Sequence, residues 1–239
     1  MRKVFNKVKQ ECGPDTIIVS DMSSAIGSRD LSKMNLWEDI GIIYAGAQKN
    51  FGTSGLTYLL VRDDVLERVK RDSEQQRIPI PIMMDWKKQA SVSDYFVNTP
   101  ALLSVQVSQL MCEHMLSKGG ISYYEELAKK KSELIYDCLD SSVQANLGRS
   151  SADLQFVNKV SPTLRSRMNV PFNVTQDGLD AEQNKELESK LLNELVESGF
   201  CGLKGHKSLG GLRASIYNSL ELGSVEALVD YLKRYQRKQ

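Results

Sequence analysis

The chain has 239 residues, with 31 Lys and Arg against 30 Asp and Glu, and 41% of its residues are hydrophobic. These values are typical of a folded protein of one or two domains, and they exclude an intrinsically disordered chain, which combines low hydrophobicity with strong net charge. A formal charge of +1 gives no basis for broad nucleic-acid binding, because that needs a basic surface that neutralises many phosphates. We therefore expect small-molecule partners and no nucleic acid.

Cysteine, histidine and apolar patterns exclude further classes. The four cysteines form no CxxC pair, and neither of the two histidines has a cysteine at ligand spacing, so we predict no metal site. Dispersed cysteines favour reduced thiols and a cytoplasmic protein. The apolar runs are far shorter than the roughly 20 residues that span a bilayer, so no membrane association is expected. The basic N-terminus lacks a following apolar stretch, which predicts a surface helix and no secretory signal.

The first part of the chain predicts strands of a sheet. Three short apolar runs rich in β-branched residues predict strands at 16–20, 40–45 and 56–61, the first of them buried on both faces of a parallel sheet. Asp63 and Asp64 then supply the N-cap of a helix that reaches about residue 70. Residues 71–100 are predicted to be irregular, since Pro79 and Pro81 block a helix.

A helix and a glycine pair follow. Pro100 suits the first position of a helix, whose apolar residues recur at helical spacing. This predicted buried face consists of Leu103, Val107, Leu110, Met111 and Met115. The pair Gly119-Gly120 ends the helix, and the pattern changes after it. We therefore predict two domains, residues 1–118 and 119–239.

The second part predicts helices and strands that alternate. Helices are predicted at 123–140, from Ala181 and from Ser224, and strands at 154–157, 168–174, 202–204 and 212–217. The helix from Ala181 is expected to bury Leu187, Leu191, Leu195 and Val196. The run 129–131 of three lysines is predicted to form a solvated helix face. Together the elements predict an α/β fold.

Two side chains at predicted strand ends are candidates for chemistry. Asp21 ends the first strand and Lys49 follows the second, and ligands of open α/β sheets bind beyond the carboxyl ends of strands. Taken alone, each is more simply explained as a turn residue or a solvated amine. Together they suit pyridoxal phosphate, because a lysine binds that cofactor and a carboxylate keeps its ring nitrogen protonated. Small residues near the lysine leave room for a planar ring, namely Gly46, Ala47, Gly52 and Gly55. The Gln48 amide can donate to a phosphate oxygen.

Four ordered motifs carry a resemblance to a known family. They are VSDMSS at 19–24, AGAQKN at 45–50 with the glycines of the following turn, NTP at 98–100, and GLKGHKS at 202–208 with GGLRASIYN at 210–218. In this order they resemble the phosphoserine aminotransferase family, class V enzymes that use pyridoxal 5'-phosphate. The resemblance covers nearly the whole chain. It implies the C-terminal part of a fold type I transferase, with an incomplete large-domain sheet before residue 119 and a small α/β domain after it.

The resemblance implies roles for the residues that bind the cofactor. Lys49 matches the catalytic lysine that forms the Schiff base, Asp21 the partner of the ring nitrogen, and Gln48 a contact of the cofactor phosphate. Asn98 and Thr99 match a pair that reaches the phosphate held by the neighbouring subunit. The resemblance therefore implies a homodimer.

It also implies a substrate site. Arg213 matches the arginine that holds the substrate α-carboxylate, and His206 with Lys207 matches a pair near the distal phosphate. Lys207 stands where the family usually has arginine, so the charge is kept while the two-pronged geometry is lost. The implied reaction transfers the amino group of glutamate to 3-phosphohydroxypyruvate and gives O-phospho-L-serine for L-serine biosynthesis.

Alternatives remain open at the level of the sequence. Family members have a preceding third or more that supplies further cofactor contacts, so we expect either a fragment or a short form without independent catalysis. The short form would be a non-catalytic or regulatory subunit that pairs with a full-length homologue. A third hypothesis is a pyridoxal-phosphate enzyme for another substrate class, such as a cysteine desulfurase relative, although no cysteine can be tied to the site.

Overall fold

The chain folds into two compact units, each with its own small sheet. The computed structural model of the chain describes residues 2–34, 37–68, 80–91, 96–144, 154–206 and 210–238. Unit 1 comprises Met1–Ile26 and Asp30–Lys118, and unit 2 comprises Gly27–Arg29 and Gly119–Gln239. Among the described residues, no helix combines the length and the apolar character that crossing a bilayer requires.

Unit 1 contains a three-stranded sheet and helices. Its elements are α1 (Arg2–Cys12), β1 (Ile18–Asp21), β2 (Ile40–Gly46), β3 (Thr57–Val61), α2 (described over 63–68), α3 (Trp86–Ser91) and α4 (Leu102–Ser117). The predicted surface helix and the three predicted strands are confirmed, with ends shifted by one or two residues. The predicted end of α2, near residue 70, lies outside the described residues.

The sheet brings the ends of β1 and β2 to one edge. β1 is parallel to β2, with Asp21 opposite Tyr44, and β3 is antiparallel to β2. One face packs a core of Met22, Ile40 and Ile43. On the other face Val19 is 53% exposed, so the prediction that β1 is buried on both faces is wrong. The run of β-branched residues predicts a strand, but it does not tell which face a helix covers.

Two helix starts differ from the prediction. α3 lies in the stretch predicted to be irregular, because the Asp85 side chain caps its first turn by accepting from the Lys88 amide at 3.0 Å. The N-cap of α4 is Ala101, so Pro100 precedes the helix and does not occupy its first position.

The buried face of α4 also differs from the prediction. Of the predicted apolar face only Met115 is buried, whereas Leu103 and Leu110 are exposed. The other buried side chains of the helix are Ser104 and Ser108. The face is rotated because these two hydroxyls bind the loop that follows β2.

Unit 2 packs helices against an antiparallel sheet. Its elements are α5 (Gly120–Gln144), β4 (Leu154–Val157), β5 (Asn169–Gln176), α6 (Ala181–Glu197), β6 (Leu212–Ser215) and α7 (Leu222–Lys238). β5 lies between β4 and β6. The strand predicted at 202–204 is wrong, since only Lys204 forms an isolated bridge with Leu212. Next to this bridge, the Gly205 amide donates to the Gly211 carbonyl.

The core of unit 2 lies between one face of this sheet and the helices. Its members include Ile135, Leu139, Phe156, Val170, Phe172, Val174, Leu191, Leu195, Leu228 and Leu232. Val196 is exposed, so its predicted burial is wrong. It lies about 100° around the helix from Leu195 and therefore outside the buried stripe.

Lys131 contradicts the prediction of a solvated lysine face. Its side chain is fully buried, and Nζ donates to the Tyr217 carbonyl at 2.7 Å and to the Leu220 carbonyl at 2.9 Å. The reason is helical geometry, because three consecutive residues cover about 200° of a helix surface. One of the three therefore falls on the same side as the buried Ala128 and Ile135.

Candidate active site

Asp21 presents an ionised carboxylate at the end of β1. Its Oδ1 accepts from the Ser23 amide at 2.8 Å. The pKa of Asp21 is lowered by hydrogen bonds from the Ser23 side chain and backbone, with smaller contributions from the Tyr44 hydroxyl and the Lys49 ammonium. The carboxylate therefore carries a negative charge at neutral pH.

Lys49 lies in the turn that follows β2. The Gly46 amide at the end of the strand donates to Ser23 Oγ at 3.1 Å, and the Ala47 amide donates to the Leu56 carbonyl at 3.0 Å. Lys49 itself is half-buried. The turn is thus tied both to the segment after β1 and to the start of β3.

Asp21 and Lys49 meet at one edge of the sheet. The parallel pairing of β1 and β2 puts the carboxyl ends of both strands there, and Lys49 lies close enough for its charge to lower the pKa of Asp21. An ionised carboxylate and an amine thus lie beyond the carboxyl ends of neighbouring strands, where ligands of α/β sheets bind.

Gln48 occupies space next to the same turn. A Cβ atom at Gly46 would lie 2.3 Å from Oε1 of Gln48. The room that Gly46 leaves is therefore filled by the Gln48 amide, whereas the sequence predicts that it admits a planar ring. The Gln48 side chain is exposed, so its amide can still donate to a ligand.

Asn50 is a residue of the site to which sequence reasoning gave no role. It is buried, and its Nδ2 donates to the Ile26 carbonyl at 2.8 Å and to the Ser24 carbonyl at 3.3 Å. The side chain therefore anchors the turn immediately after Lys49. Its position inside the AGAQKN motif was the only signal.

Ser104 and Ser108 of α4 were also missed. Ser104 Oγ donates to the Ser54 carbonyl and Ser108 Oγ to the Phe51 carbonyl. The two serines are four residues apart, so they lie on one face of a helix that is rich in apolar residues. This spacing is the signal that the sequence offers.

Asn98 and Thr99 lie in the segment that leads into α4. Both are exposed, and Asn98 Nδ2 donates to the Thr99 carbonyl at 3.1 Å. Two polar side chains are thus presented on the surface of unit 1, in a position open to a ligand or a second chain.

Arg213 lines a cavity in unit 2. The cavity has a volume of about 470 Å³ and is bordered also by His206, Asn169 and Tyr136. The Nε atom of Arg213 is buried and has no hydrogen-bond partner among the described residues. An unpaired buried N–H on a cation favours an anionic ligand, since such groups in folded proteins are nearly always bonded.

Asn169, another residue that lines this cavity, is held in place by two hydroxyl groups. Its Oδ1 accepts from the Tyr217 hydroxyl at 3.0 Å and from Ser215 Oγ at 3.2 Å. Sequence reasoning missed it, because these contacts depend on the pairing of β5 with β6. Lys207, the predicted neighbour of His206 in phosphate binding, lies outside the described residues.

The donor set fits pyridoxal phosphate better than a metal ion. An ionised carboxylate suits a cationic ring nitrogen, and a lysine at the same edge of the sheet suits an aldehyde. No group of three or more His, Cys, Asp or Glu side chains able to hold a metal occurs in the described part of the chain. Asp21, Gln48 and Lys49 are the residues of unit 1 that could hold such a cofactor.

Comparisons with known proteins point to one family. The model of the class-V aminotransferases matches residues 2–228. The phosphoserine aminotransferase of Herminiimonas arsenicoxydans is 38% identical over 222 residues, which cover 92% of this chain and 52% of that relative. That of Pseudomonas aeruginosa PAO1 is 38% identical and covers 94% of this chain and 54% of its own length. The chain thus spans about half the length of these relatives.

Solved structures give the same result. The phosphoserine aminotransferase of Bacillus circulans subsp. alkalophilus superposes with a TM-score of 0.72 at 31% identity, over 94% of this chain and 54% of that one. A phosphoserine aminotransferase from Trichomonas vaginalis with bound PLP has a TM-score of 0.72 at 31% identity, over 92% and 54%. These likenesses confirm the predicted fold class, α/β and part of a fold type I transferase.

Proposed function

Because the chain belongs to the class-V aminotransferase family, we propose that it carries the amino-transfer site of a phosphoserine aminotransferase. The reaction moves the amino group of glutamate to 3-phosphohydroxypyruvate and yields O-phospho-L-serine and 2-oxoglutarate, a step of L-serine biosynthesis. Relatives of that name at 35% and 38% identity support this assignment. Unit 1 is then the remainder of the large cofactor-binding domain, and unit 2 is the small domain.

Cofactor and compartment are part of the proposal. We assign pyridoxal 5'-phosphate as the cofactor, in line with the PLP-bound relative from Trichomonas vaginalis. The four cysteines are free thiols, which supports a reducing compartment, the cytoplasm.

The pairing of Asp21 with Lys49 carries the proposal. The two side chains lie at the carboxyl edge of one sheet, and the positive charge of Lys49 contributes to the lowered pKa of Asp21. When bound, pyridoxal phosphate supplies an aldehyde that takes the amino group and a ring that withdraws electrons from the substrate α-carbon. Asp21, kept ionised by Ser23, holds the proton on the ring nitrogen. Lys49 Nζ removes and returns the proton at the substrate α-carbon as general base and acid.

The remaining residues bind and orient. Gln48 donates to the cofactor phosphate, while Asn98 and Thr99 reach the cofactor phosphate of a second subunit in a homodimer. Arg213 binds the substrate α-carboxylate through its guanidinium, whose buried Nε lacks a partner in the described residues.

The distal phosphate of the substrate is assigned to His206 and Lys207. Lysine offers a point charge without the paired donors of arginine, so orientation of the phosphate depends more on His206. His206 borders the same cavity as Arg213, which lets one substrate contact both.

Covalent capture of the cofactor tests the proposal. The chain is incubated with pyridoxal phosphate, reduced with borohydride and digested, and the modified peptide is located by mass spectrometry. We expect one pyridoxyl group on Lys49, lost in Lys49→Ala. The control is Lys33→Ala, which removes an exposed amine of unit 1 and should keep the label on Lys49. Equal labelling of many lysines, or an unchanged yield in Lys49→Ala, would contradict the assignment.

A second candidate function is a subunit that pairs with a longer family member. It is favoured by the exposed leucines of α4, a helix that begins three residues after Thr99. In that case these two residues serve the cofactor of the partner. Mixing the chain with a longer family member and measuring the mass of the complex separates the two functions.

A further inference from the structure

The loop that carries Lys49 is held by serine hydroxyls of α4. We propose that Ser108, supported by Ser104 and Tyr58, is a positioning residue that sets the placement and reactivity of Lys49. The inference rests on the proposed role of Lys49 and extends the site to a helix to which the sequence motifs assign no catalytic part.

Ser108 binds the loop two residues after Lys49. It is 2% exposed, its Oγ donates to the Phe51 carbonyl at 2.6 Å, and it shares a hydrogen bond with the Tyr58 hydroxyl. The Phe51 ring in turn packs against the Tyr58 ring with centroids 5.4 Å apart. Loop, helix and β3 therefore meet at one buried hydroxyl.

Ser104 makes a second attachment one helical turn earlier. Its Oγ donates to the Ser54 carbonyl at 2.9 Å, so α4 holds the loop at two points on the same face. Buried hydroxyls contribute little to apolar packing and must be hydrogen-bonded. The carbonyl groups of the loop are thus the reason for polar side chains on the buried face of α4.

Two glycines allow this close approach. A Cβ atom at Gly52 would lie 3.2 Å from the Cα atom of Ser108, and Gly52 has φ +148°. A Cβ at Gly55 would lie 3.0 Å from Ser104 Oγ, and Gly55 has φ +96°. The glycines bring the backbone of the loop against the helix, where the two hydroxyls can reach its carbonyl groups.

Asn50 completes the restraint from the other side. Its side chain bonds two carbonyls of the segment after β1, so the backbone is fixed at residues 50, 51 and 54. These restraints flank the C-terminal side of Lys49 and set where its backbone lies. A general base must be held within hydrogen-bonding reach of the proton it takes, and small displacements are costly.

Competitive acetylation measures the reactivity of Lys49 without cofactor. The variant is Ser108→Ala, and the matched control is Ser117→Ala, whose hydroxyl binds the His114 carbonyl within the same helix. Lys9, paired with Asp39 at 3.2 Å, serves as the reference amine inside unit 1. Acetic anhydride labelling across a pH series gives the rate for each lysine by mass spectrometry.

We expect Ser108→Ala to raise Lys49 acetylation relative to Lys9 by about fivefold, the effect of losing one hydrogen bond. The yield of pyridoxal phosphate captured on Lys49 should fall, so the two readouts move in opposite directions. Ser117→Ala should change neither. Tyr58→Phe keeps the bond from Ser108 to the Phe51 carbonyl and should give a smaller change of the same sign.

Equal rises at Lys49 and Lys9 would mean general loosening of unit 1 and would overturn the inference, as would an unchanged Lys49 rate. Failure of the proposed function is distinguishable from this. If the wild-type chain captures no cofactor on Lys49, the proposed function fails, while the acetylation ratio still decides whether Ser108 positions the lysine.

Discussion

At the scale of single residues, Lys131 joins α5 to the segment that follows the strand of Arg213. Its Nζ binds the Tyr217 and Leu220 carbonyls, and burial lowers the pKa of Lys131 from 10.5 to about 8. We expect Lys131→Met to lower the free energy of unfolding at pH 7 by about 1–3 kcal/mol, because two buried carbonyls lose their donor. Urea unfolding followed by far-ultraviolet circular dichroism measures it.

The loss of unfolding free energy in Lys131→Met should increase with pH. Since the folded pKa of Lys131 lies below its unfolded value, the unfolded wild-type chain holds more protons between about pH 8 and 10.5, and its unfolding free energy rises over that window. Methionine does not titrate, so the difference in unfolding free energy between the wild type and Lys131→Met should increase by up to about 3 kcal/mol. Lys130→Met, at an exposed neighbour, should stay within about 0.5 kcal/mol of wild type. A gap that narrows with pH would show that the amine is not buried as described.

At the scale of elements, local sequence patterns predict that a helix or strand exists better than they predict which of its faces is buried. The strand at 40–46 can be predicted from its apolar run, because it is the central strand of the sheet and pairs with a strand on each side. The buried face of α4 could not be predicted from apolar spacing. Periodicity shows which side of a helix is apolar. In α4, however, Leu103 and Leu110 are exposed, while Ser104 and Ser108 are buried against the loop. This orientation depends on carbonyl groups of the loop, which are about 50 residues away in sequence.

The start of α6 gives a test at this scale. Asp180 caps the helix by accepting from the Glu182 and Gln183 amides, and the Gln183 side chain accepts from the Asp180 amide. The substitution Asp180→Ala should lower the free energy of unfolding by about 1 kcal/mol, because two backbone amides lose their hydrogen-bond acceptor. The measurement is the urea midpoint. Asp177→Ala, at an exposed carboxylate shortly before the helix, is the control, and equal effects of both variants would exclude a capping role.

At the scale of the whole molecule, the sequence predicts the site by strand order and resemblance. Asp21 and Lys49 are expected to meet because parallel strands end at one edge, and the pairing of β1 with β2 supplies that edge. Asn169 could not be found in this way, since it reaches the Arg213 cavity only through the register in which it faces Ser215. Local patterns carry no register between distant strands, so residues that depend on it become visible only in the fold.

The assembly proposed for the chain gives a test at the scale of the molecule. α4 exposes four leucines, at positions 102, 103, 110 and 116, immediately after Asn98 and Thr99. Leu103 and Leu110 are two helical turns apart on the same side of α4. Exposed apolar surface of this kind marks interaction sites, so we expect the homodimer to use this helix. The double variant Leu103→Glu with Leu110→Glu should weaken dimerisation at least about tenfold, because burying an unpaired carboxylate is unfavourable.

Light scattering after size exclusion measures the mass of each variant over a range of concentrations. Leu164→Glu is the matched control, because Leu164 is 71% exposed against 73% for Leu103 and lies in unit 2. It should dimerise like the wild type. If the wild-type chain is monomeric alone but forms a complex with a longer family member that the double variant cannot form, the same surface serves the pairing function. If neither complex depends on these leucines, α4 is not the interface. The role given to Asn98 and Thr99 then loses its support, because these residues can reach a cofactor of another subunit only if the neighbouring chain segment contacts that subunit.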